Sequence, residues 1–459
     1  MKLLRIVGMA AGLVLVLVWT GCGDTYRPVA TPIAPGGGSP QAQRVAVVVY
    51  ESTPTCTNAT TCTCPAGNAV ANSTAPCGPG LTSQIDVSGD VDMADVKVGV
   101  LGPAPGSVLS PPSGSTPNSG FTQNFVLIAT EGLYAANNVD STISEFPSFT
   151  PGATATIIGS ASGSQPVAMV ESVANSTIYV ANLDTQSVSA ISESTNASVT
   201  AQPLSVGVSP VALVATVDGT KVYVANRDPA PGAPSPNGSV SVITSADNAV
   251  NANTGGNITV GVKPIRMVSN SLGSEIYVLN QGDGTGTNPP SISVIDPSLD
   301  SVVGTIVQST NFSAVSPNYM IFDSHLQRLY VSDPVAGKVF VFDASQTGTG
   351  LPVWLKTITV SGQPGALSLL ADGSRVYFVN FGATSTCQVE IISSASNTVT
   401  NNCLTLPLGA VSWLAVSGDG SKVYATELGG TSIISTATNA VVNTIAAPAN
   451  LTPVYVVSE

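Results

Sequence analysis

A tyrosine followed three places later by Asn or an acid recurs along this chain, as Tyr134 with Asn137, Tyr179 with Asn182, Tyr223 with Asn226, Tyr277 with Asn280, Tyr330 with Asp333, Tyr377 with Asn380 and Tyr424 with Glu427. Successive anchors stand 44 to 54 residues apart. Each copy of such a repeat is one supersecondary unit that buries its apolar face only against its neighbours. The period suits a four-stranded propeller blade and is too long for a leucine-rich or ankyrin unit. The third copy shows the pieces. An apolar run from Pro210 to Ala215 leads through Asp218-Gly219 into Lys221 to Asn226, then Ser239 to Thr244, then Ile258 to Gly261. These short runs of Val, Ile and Ala behave as strands. The first turn is nearly the same in three copies, beginning at Asp218-Gly219, Asp372-Gly373 and Asp419-Gly420. Glycine there supplies the positive φ of a tight hairpin. The chain therefore reads as an all-β protein, a β-propeller of four-stranded antiparallel blades with seven recognisable repeats.

The ends suggest an eighth blade. The run Pro453 to Ser458 has the form of a first strand, and Arg44 to Tyr50, Ser83 to Val87 and Val96 to Leu101 supply three more. Pairing the two ends of the chain in a split blade removes an exposed sheet edge. The alternative is a seven-bladed ring with an N-terminal appendage; the split blade is favoured.

Composition agrees. Of 459 residues only 9% are charged, and Gly, Ser, Thr, Asn, Val and Ala dominate, which favours strands and tight turns over amphipathic helices. The net charge of −13 repels phosphate backbones, so nucleic acid is not expected as a partner.

The segments Ile178-Tyr179-Val180-Ala181-Asn182, Val222-Tyr223-Val224-Ala225-Asn226 and Ser291-Ile292-Ser293-Val294-Ile295-Asp296 resemble YVTN-type β-propeller repeats, as found in YncE-like bacterial periplasmic proteins and archaeal surface-layer proteins. The match runs from about residue 121 to the end. The resemblance implies the propeller and assigns no chemistry.

Residues 1–21 have the layout of a lipoprotein signal peptide: Lys2 and Arg5, an apolar run from Leu13 to Val18, then Thr20 and Gly21 before Cys22. This order resembles a bacterial lipobox, although Trp19 stands where that motif usually has Leu. The resemblance implies lipidation of Cys22 and attachment of an exported protein to a membrane, and Gly23 in place of Asp favours the outer membrane. Residues 22–43 form a Pro- and Gly-rich tether, 44–120 a cysteine-bearing segment with a linker, and 121–459 the main repeats.

With Cys22 set aside, six of the seven cysteines remain. Cys387 and Cys403 lie inside one expected hairpin, and Cys56, Cys62, Cys64 and Cys77 crowd one stretch. Disulfides in an oxidising compartment are expected for both groups, with three pairings open for the four-cysteine cluster. Zinc is the rival reading of that cluster, but its spacing lacks the C-x₂-C knuckle.

Groups suited to catalysis are scarce. His325, the single histidine, falls at an expected turn, so a histidine triad or multi-histidine metal site is excluded by count. The Asn and acid residues that follow the anchors recur in every blade and are expected to serve the fold. Departures from the repeat mark candidate sites: insertions at 227–238, with Arg227, Asp228 and Asn237, and at 281–290, with Gln281, Asp283 and Asn288. Both join second to third strands and should emerge on one face, where extended loops on a rigid scaffold commonly carry recognition. No cofactor or metal is expected, and calcium at Asp283 matches no known loop spacing. The favoured function is a non-catalytic envelope module that binds a protein, peptide or glycan. The alternatives are a lactonase-like hydrolase working at the central channel, and a surface-layer or adhesive component.

Overall fold

The computed structural model describes residues 45–51, 55–58, 61–63, 80–87, 91–98, 108–109, 124–129, 133–137, 142–146, 156–159 and 165–458, the last stretch without 230–231, 233–234, 252–256, 346–349, 382–385, 401–402 and 449–451. Eight sheets, each built around four antiparallel strand positions, form a ring with no helix among the described residues: an eight-bladed β-propeller. Blades 1 to 7 follow the chain. Their inner strands are Asn124–Ile128, Pro166–Ser172, Pro210–Ala215, Pro264–Ser269, Tyr319–Asp323, Pro364–Leu369 and Val411–Val416. The second strand of each carries the anchor, as in Lys221–Asn226.

The eighth blade is split. Its inner strand, Thr452–Ser458, pairs with Val45–Glu51, which pairs in turn with Gly80–Asp86 and then Val91–Val98. The two later strands begin before the expected 83 and 96, because Asp92 and Asp95 break the apolar pattern of what proves to be an outer strand. This blade also hides its anchor. In blades 3 and 4 the anchors Tyr223 and Tyr277 face Val214 and Val268 of the inner strand, whereas Val47 faces Val457 at the corresponding place. Tyr50 stands instead where the other blades carry Asn, opposite Pro453.

The anchors hold neighbouring blades together. All seven are buried, and several reach the turn between third and outer strands of the next blade. The Tyr134 hydroxyl donates to Asn196 Oδ1 at 3.0 Å, Tyr179 to Asn248 at 2.5 Å and Tyr377 to Asn439 at 2.8 Å, while Tyr223 donates to Asp300. Each acceptor has a positive φ, a conformation Asn and Asp tolerate better than most side chains. Lys221 Nζ meets both carboxylate oxygens of Asp300 at 2.9 Å, and Arg375 reaches Asn439 at 2.9 Å, so bases at the starts of second strands are absorbed by the same turns. Tyr277 donates instead to Glu275 of its own strand's approach, at 2.5 Å.

The residues three places after the anchors serve the fold, as expected. Asn226 Nδ2 donates to Ser239 and Ser241, and Asn280 donates to Ser291 and Ser293, tying second to third strand. A Cβ on Gly207 or Gly261 would stand 2.6 to 2.7 Å from these Asn side chains, which explains the glycine before blades 3 and 4. In blade 7, Glu427 replaces Asn. It accepts from Leu408 N at 2.5 Å and from Ser432 Oγ, and burial pushes its carboxyl above the ordinary range. Burial does the same to Glu390 and Glu275. A carboxylate whose folded pKa is raised favours the fold when protonated, so its contribution falls as pH rises from the unfolded value of about 4.3 through the folded one. The melting temperature is expected to climb as pH is lowered from 7 toward 5. Glu427→Gln can donate to Ser432 and accept from Leu408, as Asn does elsewhere; it should raise the melting temperature at pH 7 by about 2–4 °C and flatten the climb. An unchanged pH slope in the variant would show that Glu427 is not the titrating group.

Candidate functional site

Connections from second to third strand and from outer strand to the next inner strand leave the propeller on one face, here called the upper face. Both predicted insertions lie there and share a connector. Gly238 N donates to Gly261 O at 3.0 Å, while Gln281 N and Gly282 N donate to Lys263 O and Val262 O, each at 2.9 Å. In the first insertion, Arg227 pairs with Asp228 at 3.2 Å, and Asn237 N donates to Ser235 Oγ at 3.3 Å. Although partial burial opposes it, hydrogen bonds from Ser209 and Arg227 hold the Asp228 carboxyl below its ordinary value. In the second, Asp283 accepts from Thr285 N at 2.8 Å, Thr285 Oγ1 at 2.6 Å and Asn288 Nδ2 at 2.7 Å. These bonds, led by Thr285, lower its carboxyl to about 2, so the acid organises its own loop. Gln281 Nε2 reaches Pro317 O at 3.3 Å, fixing the insertion to the next blade.

Two further upper-face features were not read from the sequence as part of this face. In the split blade, Thr55–Asn58 and Thr61–Thr63 lie between second and third strands and pair with each other and with Val108–Leu109. The cysteine-bearing stretch is therefore an upper-face insertion of blade 8. The backbone register sets Cys56 opposite Cys62. Cys22, Cys64 and Cys77, with the segments expected to be signal peptide and tether, lie outside the described residues. In blade 6, the expected disulfide joins Cys387, before the third strand, to Cys403, beside the Val389–Leu404 bridge. The same loops in blades 5, 6 and 7 expose Val335 at 66%, Phe381 at 43% and Leu428 at 63%. Apolar tips at the other end, Val173, Val217 and Leu272, sit on short hairpin turns without insertions. His325 is in such a turn, its backbone N bonded to Asp323 Oδ1 at 2.9 Å.

Just inside the upper rim, one position of each inner strand makes a ring. It is the residue paired two places after the anchor, or its register equivalent: Phe125, Ala168, Ala212, Arg266, Tyr319, Ala366, Trp413 and Tyr455. Four of these side chains meet although they come from blades 4, 5, 7 and 8. The Arg266 guanidinium lies 4.1 Å above the Tyr319 ring and 5.9 Å from that of Trp413. Tyr319 meets Trp413 edge to face at 5.4 Å and 77°, and Trp413 meets Tyr455 at 5.0 Å and 45°. Such geometry is favoured by the ring quadrupole, and the guanidinium on a ring face adds a cation–π contact. Alanine at 366 lets Tyr319 and Trp413 touch in front of blade 6. All four are partly exposed. The ring positions hold one guanidinium and no carboxylate, and among the described residues no group of three His, Cys, Asp or Glu converges as metal ligands do.

No protein-family model matches the chain, and no curated protein matches it. Solved structures do. Dihydro-heme d1 dehydrogenase NirN, in complex with DHE, superposes with TM-score 0.61 at 11% identity over 94% of this chain and 78% of its own. Apo AztD from Citrobacter koseri gives 0.57 at 9% over 91% and 98%, and hydrazine synthase from Kuenenia stuttgartiensis 0.52 at 17% over 71% and 99%. At such identities the likeness is one of fold, and it agrees with the blade count: the chain is an eight-bladed β-propeller.

Proposed function

We propose that this is an exported lipoprotein of the cell envelope, attached through Cys22 and built on YVTN-type repeats, whose upper face binds a protein or peptide partner. The observation that carries this reading is the crowding of insertions on that face. Blades 3, 4 and 8 lengthen the same connection, blade 6 braces it with a disulfide, and blades 5 to 7 raise Val335, Phe381 and Leu428 into solvent. Rigid loops with exposed apolar tips and a polar surround have the anatomy of a recognition surface. A glycan partner is less well matched, because the exposed tips are aliphatic as well as aromatic and Asp283 spends its hydrogen bonds inside its loop.

Site-directed photocrosslinking in intact cells tests the reading. A crosslinker placed at Phe381 or Leu428 should trap a discrete adduct. Replacing both insertions by the short Leu183–Gln186 turn of blade 2 should abolish it, and Thr195→Asp, on the opposite face, should leave it. Cys22→Ser should move the protein from the membrane to the soluble fraction. An adduct indifferent to the insertions would remove the face from the argument, and a membrane-bound Cys22→Ser protein would remove the anchor.

A further inference from the structure

The ring inside the upper rim is independent of the face reading and has a chemistry of its own. Arg266 is its one charged member. Among the described residues, Lys221 pairs with Asp300 and Arg227 with Asp228, and neither pair involves Arg266. Arg266 is partly buried and its guanidinium carbon lies 4.1 Å from the centre of the Tyr319 ring, a contact that uses the π-face and leaves N–H groups to donate. In a chain of net charge −13, a base held at the channel without an acidic partner favours an anion of low molecular weight. The adjoining wall is aromatic: Trp413 and Tyr455, both partly exposed, pack against each other beside it. Phe381 lies against Gly365, next to Ala366, so aromatic surface continues to the mouth.

We propose that this ring binds a small aryl carboxylate, with the carboxylate on the N–H edge of Arg266 and the aromatic body extending the edge-to-face cluster of Tyr319, Trp413 and Tyr455. A sugar acid fits less well, because apart from two tyrosine hydroxyls the ring positions supply no amide, hydroxyl or carboxylate to receive sugar hydroxyls.

The purified full-length protein titrated with benzoate, followed by tryptophan fluorescence, tests this. Trp413 is one of three tryptophans, with Trp19 in the signal segment and Trp354 on an outer strand. Benzoate should give a saturable change that Trp413→Phe removes. Arg266→Gln should weaken binding by about tenfold or more, the loss expected for a charge-assisted bond. Uncharged benzamide should fail to bind. Melting curves establish that each variant is folded. No saturable response from the folded parent would overturn the proposal and leave the cluster as interior packing. Equal binding of benzamide would overturn the role of Arg266, and binding of galacturonate in place of benzoate would overturn the ligand class. None of these results bears on the photocrosslinks, so the two readings fail separately.

Discussion

A chain ending at Ala447 is expected to lose its cooperative melting transition. The missing strand, Thr452–Ser458, registers with six residues of Val45–Glu51 and places Val456, 1% exposed, in the cluster between blades 7 and 8. Tyr455 and Val457 pack on the other side, against Val47, Val126 and Leu133 of blades 8 and 1. Burial of about 1.5–3 kcal/mol for each of three apolar side chains alone gives a loss of about 5–9 kcal/mol, to which each backbone hydrogen bond of the strand adds about 0.5–1.5 kcal/mol. That is comparable with the ~5–15 kcal/mol that holds a typical protein folded. Thermal denaturation followed by circular dichroism reads the effect. A synthetic peptide of residues 449–459 should restore the transition, since Val45–Glu51 would accept it as an added strand. A truncated protein that melts like the parent would show that the ring is stable without its seam.

The second large effect is expected at an anchor. Tyr223 is fully buried, and its hydroxyl donates to Asp300, which also holds Lys221. Burial, together with the hydrogen bond to Asp300, pushes the phenol well above its ordinary pKa, so it remains a donor throughout the physiological range. Tyr223→Ala should cost about 3–5 kcal/mol by opening a cavity between blades 3 and 4. Tyr223→Phe keeps the packing and should cost about 1–2 kcal/mol, because Asp300 loses a donor but keeps the ammonium. Chemical denaturation of the three proteins would separate the terms. Equal losses for Ala and Phe would mean that the hydroxyl, and not the ring, is what matters at this joint.

These anchors are also why the architecture was legible in the sequence. Burying a tyrosine against the next blade demands the same residue at the same interval, and the hairpin turns demand Asp-Gly; both constraints are local and recur. The eighth blade broke the pattern because Val47 takes the anchor place and Tyr50 the Asn place. It was recognisable only from what the ends lacked and could lend each other. The insertions at 227–238 and 281–290 stood out as departures from the repeat, but the blade 8 insertion did not, since a split blade gives no interval against which to measure it. The channel ring was beyond reach for another reason. Ile265-Arg266-Met267 and Ser412-Trp413-Leu414 read as ordinary inner-strand runs, and nothing local says that Arg266 and Trp413 meet across three blades. That fact appears only when strand register is known in every blade.

The seam has a topological consequence. Thr452–Ser458 runs antiparallel to Val45–Glu51, with Ser458 opposite Ala46, just as Ser172 stands opposite Thr177 at the first hairpin of blade 2. The two ends of the described chain thus meet where every other blade has a covalent turn. The molecule is a circle cut at one hairpin, and the cut is interchangeable with seven others. A chain whose ends were stitched by a short turn and reopened at Asp372-Gly373 would contain the same blades in the same cyclic order, with blade 6 as the split one.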